Sequence, residues 1–327
     1  MVNTAVHTAR EMMYGSRERF DYLECPRCGS LYLKDIPRDM GRFYPRGYYS
    51  FAPKRHAAPM ARLAAHALVL MRRIPVLRMP AALAVDLNAF AWIERVVDLP
   101  RSSRILDVGC GRGMNLLLLA GLGFTDLTGI DPYLPDHVRA GGSVVLKKTD
   151  LQGLEGTFDV VMFHHSLEHV PDPVAALAEL ERIVAPGGRV LVRMPVAQSF
   201  AWRTYGVDWV QLDAPRHVCV FSEKGFREMA ERHGFRVEEV LYDSGAFQFW
   251  GSEQYCRDIP LNDARSYRVN PGRSPFGRRD MARFRKRAGE LNALGDGDQA
   301  CFLLIRVKYD KPHNDKISSV QPSKNQL

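Results

Sequence analysis

The spacing of hydrophobic residues changes at about residue 100 of this 327-residue chain. Between residues 59 and 98, apolar residues recur at intervals of three and four, which predicts helices interrupted by Pro75 and Pro80. Beyond residue 100, short apolar runs alternate with amphipathic stretches. This alternation predicts an α/β fold with a doubly wound, mostly parallel β-sheet and helices on its faces.

Seven β-strands are predicted in this second region. Helices are predicted after the first strand, at residues 173–184, and at residues 222–235 with a capping-box start and a glycine stop. A long basic insertion, residues 245–298, separates the last two strands. The predicted strands are residues 105–109, 127–131, 143–148, 158–163, 189–195, 236–242 and 301–309.

The pattern divides the chain into three parts. Residues 1–99 are predicted to form an N-terminal knuckle and a helical cap, and residues 100–310 the sheet domain. Residues 311–327 are polar, and we expect a disordered tail there.

The knuckle is the segment Cys25-Pro-Arg-Cys28-Gly29, between two short predicted β segments in residues 20–33. It resembles half of a zinc ribbon, and tetrahedral zinc needs two further ligands. The sequence has no second Cys-x-x-Cys. We therefore expect a metal-free turn, with a zinc site as the alternative. The aromatic residues at 43–51 could fold over an active site or pack as ordinary core.

Charge is unevenly distributed along the chain, whose net charge is +8. Residues 1–100 and residues 251–327 each carry 15 basic and 9 acidic residues, whereas residues 101–250 carry 15 basic and 19 acidic residues. Basic flanks favour an anionic substrate, and an acidic centre favours a cationic ligand; solvated surface charge is the alternative.

Composition also bears on whether the protein is membrane-bound, secreted or cytoplasmic. No apolar run is long enough to cross a bilayer, and the first 25 residues are too polar for a secretory signal. The six cysteines show no regular spacing, which argues against a disulfide framework. We expect a cytoplasmic protein.

A glycine-rich loop follows the first predicted strand. Asp107-x-Gly109-x-Gly111-x-Gly113 lies between that strand and a helix, where glycines allow a sharp turn and close approach of a ligand. Asp131 ends the second predicted strand, at a place where a carboxylate accepts hydrogen bonds from ribose hydroxyls. A dinucleotide is the competing ligand, but Asp107 would repel a pyrophosphate and favour a cation.

The segments LDVGCGRG, GID, TDL, FDVV and LEHVPDP, followed by PGG, occur in this order. Over about residues 100–310 the chain resembles the class I S-adenosylmethionine-dependent methyltransferases, in a subgroup with a Cys-x-x-Cys knuckle and a Pro-Arg-His motif. The resemblance implies a Rossmann-like sheet of seven strands that ends in an antiparallel hairpin, with S-adenosyl-L-methionine as cofactor. The cofactor-binding residues that it implies are Asp107, Gly109, Cys110 and Gly111 near the methionine part, Asp131 and Pro132 near the ribose, Asp150 and Leu151 near the adenine, and His164.

A histidine-rich segment follows the fourth predicted strand. His165-x-x-Glu168-His169 matches a zinc-protease pattern, but that pattern needs a continuous helix, and prolines follow within four residues here. We expect a loop beside the reactive methyl group, with these residues facing the substrate or bracing the loop. Some quinone-pathway relatives carry E-x-x-E-H at this place, with carboxylates that bind a divalent metal. Because His165 replaces the first glutamate, we expect no metal site in this chain.

A third histidine lies in the segment Trp209-Val-Gln-Leu-Asp-Ala-Pro-Arg-His217. A similar stretch occurs in methyltransferases of glycan and secondary-metabolite pathways, in a loop that overhangs the pocket. A histidine there could remove a proton from a hydroxyl, or could order the loop through a hydrogen bond. The predicted catalytic residues are His217, His169 and His165.

These observations predict a methyltransferase that acts on a hydroxyl of a sugar, glycan precursor or small metabolite. Arginines of the insertion, including Arg278 and Arg279, suit a phosphate-bearing acceptor. The alternatives are methylation of a quinone-like or polyketide acceptor at carbon or oxygen, a nucleic-acid-binding or modifying factor, and a catalytically silent scaffold. No aromatic and basic stacking motif is evident, so we expect no nucleic-acid partner.

Overall fold

The computed structural model describes residues 4–45, 85, 89–135, 138–139 and 142–307. Most of the helices expected between residues 59 and 88, residues 46–51 of the aromatic segment, and the tail at 311–327 lie outside the described residues. Among the described residues, no helix combines the length and apolar character needed to cross a bilayer.

Within the described residues the chain forms twelve strands in two sheets. The first sheet has the order β1-β2-β3-β10, and the second has the order β11-β12-β9-β8-β4-β5-β7-β6. The strands are β1 (Ala5–Arg10), β2 (Arg19–Glu24), β3 (Leu31–Leu33), β4 (Arg104–Val108), β5 (Asp126–Ile130), β6 (Val138–Arg139), β7 (Val144–Lys147), β8 (Phe158–His164), β9 (Val184–Pro195), β10 (Cys219–Val220), β11 (Phe235–Tyr242) and β12 (Gln299–Arg306).

The large sheet confirms the predicted fold class. Strands β4, β5, β7, β8 and β9 pair in parallel, whereas β12 runs antiparallel to both β9 and β11. All seven predicted strands are present. The two-residue strand β6 adds an antiparallel edge next to β7.

Six α-helices accompany the strands in the described residues. Asp172 and Ser222 cap two of them by accepting hydrogen bonds from backbone N–H groups. The capping box predicted at Ser222 is incomplete, because the third helical residue is Gly225, which has no side chain to return the bond. The helices are α1 (Met114–Gly121), α2 (Pro173–Ile183), α3 (Phe200–Tyr205), α4 (Glu223–Arg232), α5 (Phe247–Cys256) and α6 (Arg278–Ala293).

Side chains of the large sheet alternate between two hydrophobic cores. In β8, Val161 and Phe163 pack with helices α2 and α4, whereas Val160 and Met162 pack with α1. Successive strand residues point to opposite faces, so a strand covered on both faces must be apolar throughout. This explains why the parallel strands are continuous apolar runs. Both faces being covered, a ligand can approach only at the edge where the strands end.

The N-terminal sheet is joined to the large domain by strand pairing. Strand β3 pairs antiparallel with β10, which lies almost 190 residues further along the chain. Buried side chains of both regions form one core, including Tyr22, Leu31, Trp209 and Val220. Strands β2 and β3 of the N-terminal sheet therefore lie against the segment that carries the Pro-Arg-His motif.

The knuckle itself is a hydrogen-bonded turn. The backbone N–H of Cys25 donates to Ser30, and that of Gly29 donates back to Cys25, at 2.8 and 2.7 Å. Both cysteine thiols are free and partly exposed. Among the described residues, no set of three metal-ligating side chains includes Cys25 or Cys28.

Candidate active site

The glycine loop begins where β4 ends, at the carboxyl edge of the large sheet. Gly109 has φ +70°, and its N–H donates to the carbonyl of Ile130 at 2.8 Å. A Cβ atom at this position would lie 2.5 Å from Cβ of Ser166, so only glycine fits. The hydroxyl of Ser166 donates to the carbonyl of Val108 at 2.6 Å. The glycine loop and the loop after β8 are thus in direct contact.

Asp131 follows β5 and is held in place by backbone donors. Its Oδ2 accepts from the N–H of Gly111 at 3.1 Å, and its Oδ1 accepts from that of Tyr133 at 2.9 Å. The side chain is buried, and burial raises its pKa above the ordinary value. These bonds place a carboxylate at the open edge of the sheet, next to the glycine loop.

Asp107 is the most unusual group of this cleft. It is 1% exposed, and neither carboxyl oxygen has a hydrogen-bonding partner within the described residues. Burial raises its pKa to about 7; the nearby Asn115 amide lowers it, and the charge of Asp131 raises it further. A buried carboxyl without a partner is costly, and a cationic ligand would offset that cost.

Other residues expected at the cofactor have varied surroundings. Cys110 is partly buried, and burial raises the pKa of its thiol, so it is not a thiolate nucleophile. Pro132 is exposed. Asp150 is exposed and accepts a hydrogen bond from the backbone of Gly153 at 3.0 Å. Leu151 is buried in the core beside α2. The contacts of these residues with the cofactor remain predictions.

The last residue of β8 and the loop after it carry four of the polar residues in question. His164 packs against Trp92, with ring centroids 4.6 Å apart, and burial lowers its pKa well below the ordinary value. It is therefore neutral at pH 7. Leu167 to His169 form a short 3₁₀ turn before α2.

The neighbours of His165 determine which of its two ring nitrogens carries the proton. Nη1 of Arg193 lies 2.7 Å from Nε2 of His165, and a guanidinium can only donate. Nε2 must therefore accept, which places the ring proton on Nδ1, 3.3 Å from Oε1 of Glu168. Arg193 is in turn held by Asp243 at 2.5 Å. This sequence of contacts orients His165 toward Glu168.

Glu168 is an ionised carboxylate in the interior. Burial alone would raise its pKa, but His165 together with His217 and His169 brings it down to about 2. Its side chain is 1% exposed. Apart from the long contact to His165, neither of its oxygens meets a hydrogen-bond donor among the described residues.

One ring nitrogen each of His169 and His217 lies within 4.8 Å of a carboxylate oxygen of Glu168. Nδ1 of His169 lies 2.9 Å from the carbonyl of Arg216, and Nδ1 of His217 lies 2.7 Å from the carbonyl of Gln211. Because a carbonyl only accepts, Nδ1 of His217 carries the proton and its Nε2 keeps a lone pair. Nδ1 of His169 also lies 3.1 Å from the hydroxyl of Tyr44. The two ring centroids are 4.7 Å apart. Burial and the neighbouring His169 lower the pKa of His217 to about 4, so His217 is neutral at pH 7.

The segment that carries His217 is fixed by a buried ionic cluster. Arg216 has no exposed surface and donates to Asp213 at 2.7 Å and to Glu11 at 2.9 Å. The hydroxyl of Tyr22 donates to the carbonyl of His217 at 2.8 Å. Sequence reasoning missed these N-terminal partners, since a lone glutamate or tyrosine near the start of the chain has no distinguishing pattern.

A cavity of about 310 Å³ lies beside this loop. All three predicted catalytic histidines contribute to its wall, and apolar residues line much of the rest. Arg278 and Arg279, which begin α6, are exposed and are not among its lining residues, whereas Arg268 is. The lining residues are Met13, His165, His169, Val210, Gln211, Asp213, His217, Phe247, Leu261, Arg268 and Gln299.

Comparison with known proteins identifies the family. A family model described as a methyltransferase domain matches residues 81–240. A ubiquinone biosynthesis O-methyltransferase of Thiobacillus denitrificans is 30% identical over 166 residues, a match that covers 46% of this chain and 71% of that protein. The chain belongs to the class I S-adenosylmethionine-dependent methyltransferases.

Further similarities accompany this assignment. A ubiquinone biosynthesis O-methyltransferase of Xanthomonas oryzae pv. oryzae is 35% identical to this chain over 140 residues. The match covers 38% of this chain and 57% of that protein. A solved methyltransferase from Thermotoga maritima, described as a possible histamine N-methyltransferase, has 18% identity and a TM-score of 0.41, covering 67% of this chain and 88% of that one.

S-adenosyl-L-methionine is the cofactor of the family, and the cleft suits it. The cofactor carries cationic ammonium and sulfonium groups, and Asp107 offers a buried carboxyl without a partner. Gly109 keeps the backbone open to a ligand, and Asp131 presents a fixed carboxylate beside it. We infer that these three residues would hold the cofactor, with Gly111 completing the loop.

Proposed function

We propose that the methyltransferase methylates a hydroxyl oxygen of an aromatic, quinone-like acceptor that binds in the 310 Å³ cavity. The observation that carries the proposal is the group of imidazoles on a cavity that adjoins the cofactor cleft. The loop after β8 touches the glycine loop through Ser166 and the cavity through His165 and His169. The loop after β8 would therefore lie between the bound cofactor and the bound acceptor.

Two features favour an aromatic acceptor over the sugar or glycan expected first from sequence. Met13, Val210, Phe247 and Leu261 give the cavity an apolar wall on which a ring can pack. The curated relatives described above are named for O-methylation in ubiquinone biosynthesis. Both features support a flat, apolar acceptor with a hydroxyl directed at the histidines.

The cofactor, when bound, supplies an activated methyl group. The protein must then align the acceptor oxygen, exclude water and draw away the hydroxyl proton. His217 is neutral at pH 7, and its Nε2 lone pair can act on that proton. Carboxylates of Asp213, at 3.9 Å, and Glu168 would stabilise positive charge that develops on the ring.

The test is a comparison of His217→Gln with the wild-type enzyme on a simple catechol. We expect kcat to fall about 100-fold or more, as is usual when a group that moves a proton is lost. The affinity for S-adenosylhomocysteine should stay within about twofold of wild type, because His217 lies on the acceptor side. His233→Gln is the matched control, since His233 lies beside Glu181, outside the cavity. Unchanged kcat in His217→Gln would refute the proposed role.

A further inference from the structure

The wall of the acceptor cavity carries a permanent positive charge. Within the part of the chain that the structure describes, Arg268 is the one Lys or Arg that lines this cavity. A guanidinium stays protonated at any pH that the enzyme meets. The carboxylate of Asp213 also lines the wall, but Arg216 binds both of its oxygens, at 2.9 and 2.7 Å. Arg268 is exposed, which places it where the cavity opens to solvent.

A buried polar network fixes the main chain at Arg268. Gln254 of helix α5 has no exposed surface, and its Oε1 accepts from the N–H of Tyr267 at 2.8 Å. Its Nε2 donates to the hydroxyl of Ser266 at 3.1 Å, and that hydroxyl accepts from the N–H of Arg268 at 3.2 Å. Ser266 is also fully buried. These bonds hold the turn of Arg268 against α5, as a rigid recognition site requires.

The segment before Arg268 is part of the cavity wall. The N–H of Leu261 donates to the carbonyl of Met12 at 2.8 Å, which joins the insertion to the N-terminal region. Leu261 and Met13 pack in one hydrophobic core, and both line the cavity. The insertion therefore supplies the cavity with an apolar surface and with the charge of Arg268, and the two come from one short stretch of chain.

Charge decides which anion suits this wall. The planar guanidinium of an arginine matches both carboxylate and phosphate through paired N–H donors. A phosphate ester carries a charge of about −1.5 to −2 at pH 7, whereas a carboxylate carries a single negative charge. One guanidinium compensates one charge, and Asp213 on the same wall disfavours a second. The wall therefore favours a carboxylate over a phosphate.

We propose that Arg268 binds a carboxylate of the acceptor, which makes aromatic hydroxy acids the preferred substrates. The inference rests on the proposed function, in which the acceptor hydroxyl faces His217 in the same cavity. The family match ends at residue 240, before the insertion that carries Arg268. The preference for a carboxylate is therefore a property of this chain's insertion, separate from the shared methyltransferase domain.

The test compares two ligands of nearly equal shape by calorimetry, with S-adenosylhomocysteine bound to the full-length protein. The wild type should bind 3,4-dihydroxybenzoate at least about fivefold more tightly than the uncharged 3,4-dihydroxybenzamide, a modest ratio because Arg268 is exposed. Arg268→Gln should remove this preference, and Arg268→Lys should keep part of it. Arg278→Gln is the matched control, since Arg278 is exposed and lies outside the cavity lining. Binding of S-adenosylhomocysteine reports whether each variant is folded.

Three results would overturn the assignment of Arg268. They are equal binding of the acid and the amide by the wild type, a preference for the acid that persists in Arg268→Gln, and an equal loss of that preference in Arg278→Gln. Tighter binding of 4-hydroxyphenyl phosphate than of 4-hydroxybenzoate would contradict the choice of a carboxylate.

Binding without turnover separates this inference from the proposed function. Methyl transfer to catechol by an enzyme that binds acid and amide equally would support the proposed function and refute the role of Arg268. A preference for the acid that depends on Arg268, without methyl transfer to any phenol, would support the carboxylate site and refute the proposed function.

Discussion

Replacing Asp107 with asparagine should make the dissociation constant of the cofactor much less dependent on pH. The buried carboxyl has a pKa of about 7 without cofactor. A cationic cofactor favours the ionised form, so binding at pH 6 must first remove a proton, whereas at pH 8 the carboxyl is already ionised. The dissociation constant of the wild type should therefore be about tenfold larger at pH 6 than at pH 8, which is about 1.4 kcal/mol.

The same substitution should stabilise the protein in alkaline solution. The folded-state pKa is raised from 3.8 to about 7, so the ionised carboxyl opposes folding, and the stability that the neutral form contributes is lost as pH rises to 7. A pKa difference of about 3 corresponds to about 4 kcal/mol above pH 7, and to less at pH 5. Asp107→Asn should recover much of this at pH 8.

Isothermal calorimetry at pH 6, 7 and 8 measures the binding constants, and urea unfolding at pH 5 and 8 measures the stability. Titration of the ligand itself affects both proteins equally, so the difference between them isolates Asp107. The reasoning is refuted if wild type and Asp107→Asn show the same pH dependence of binding, or if the substitution destabilises the protein equally at both pH values.

Two further substitutions test the framework of the site. Gly109→Ala should weaken S-adenosylhomocysteine binding at least tenfold by calorimetry, because its Cβ would meet Ser166 at 2.5 Å; Gly234→Ala, at a similar φ of +74° with open space, should not. Arg216→Met leaves Glu11 buried without its cation and should lower the free energy of unfolding by about 3 to 5 kcal/mol in urea titrations. Equal binding of S-adenosylhomocysteine by Gly109→Ala and Gly234→Ala would contradict the first expectation. A decrease of less than about 1 kcal/mol in the free energy of unfolding of Arg216→Met would contradict the second.

The cofactor cleft was predictable because its signals are local. A buried strand, a run of glycines and a helix occupy adjacent positions, so the turn at Gly109 follows from sequence. Asp131 is placed by the same logic, since parallel strands end at one edge of the sheet. The antiparallel pairing of β11 with β12 was implied by the resemblance to the class I methyltransferases.

The acceptor side was only partly predictable because its contacts are distant in sequence. The loop of His217 was expected to overhang the pocket, but its anchor to Glu11 spans 205 residues. The pairing of β3 with β10 joins segments that carry no periodic signal of their own. A pattern also could not show that Arg193 fixes the tautomer of His165, or that Glu168 is buried beside two imidazoles.

The most direct test of the proposed function uses S-adenosylmethionine with a deuterated methyl group and identifies the molecule and the atom to which that group is transferred. The enzyme is given catechols, simple phenols and nucleotide sugars in one mixture, and products are identified by mass spectrometry and NMR. We expect the label on a phenolic oxygen of the aromatic acceptors, with transfer abolished in His217→Gln. Label found on the sugars alone, on a ring carbon, or in equal amounts with His217→Gln would contradict the proposal.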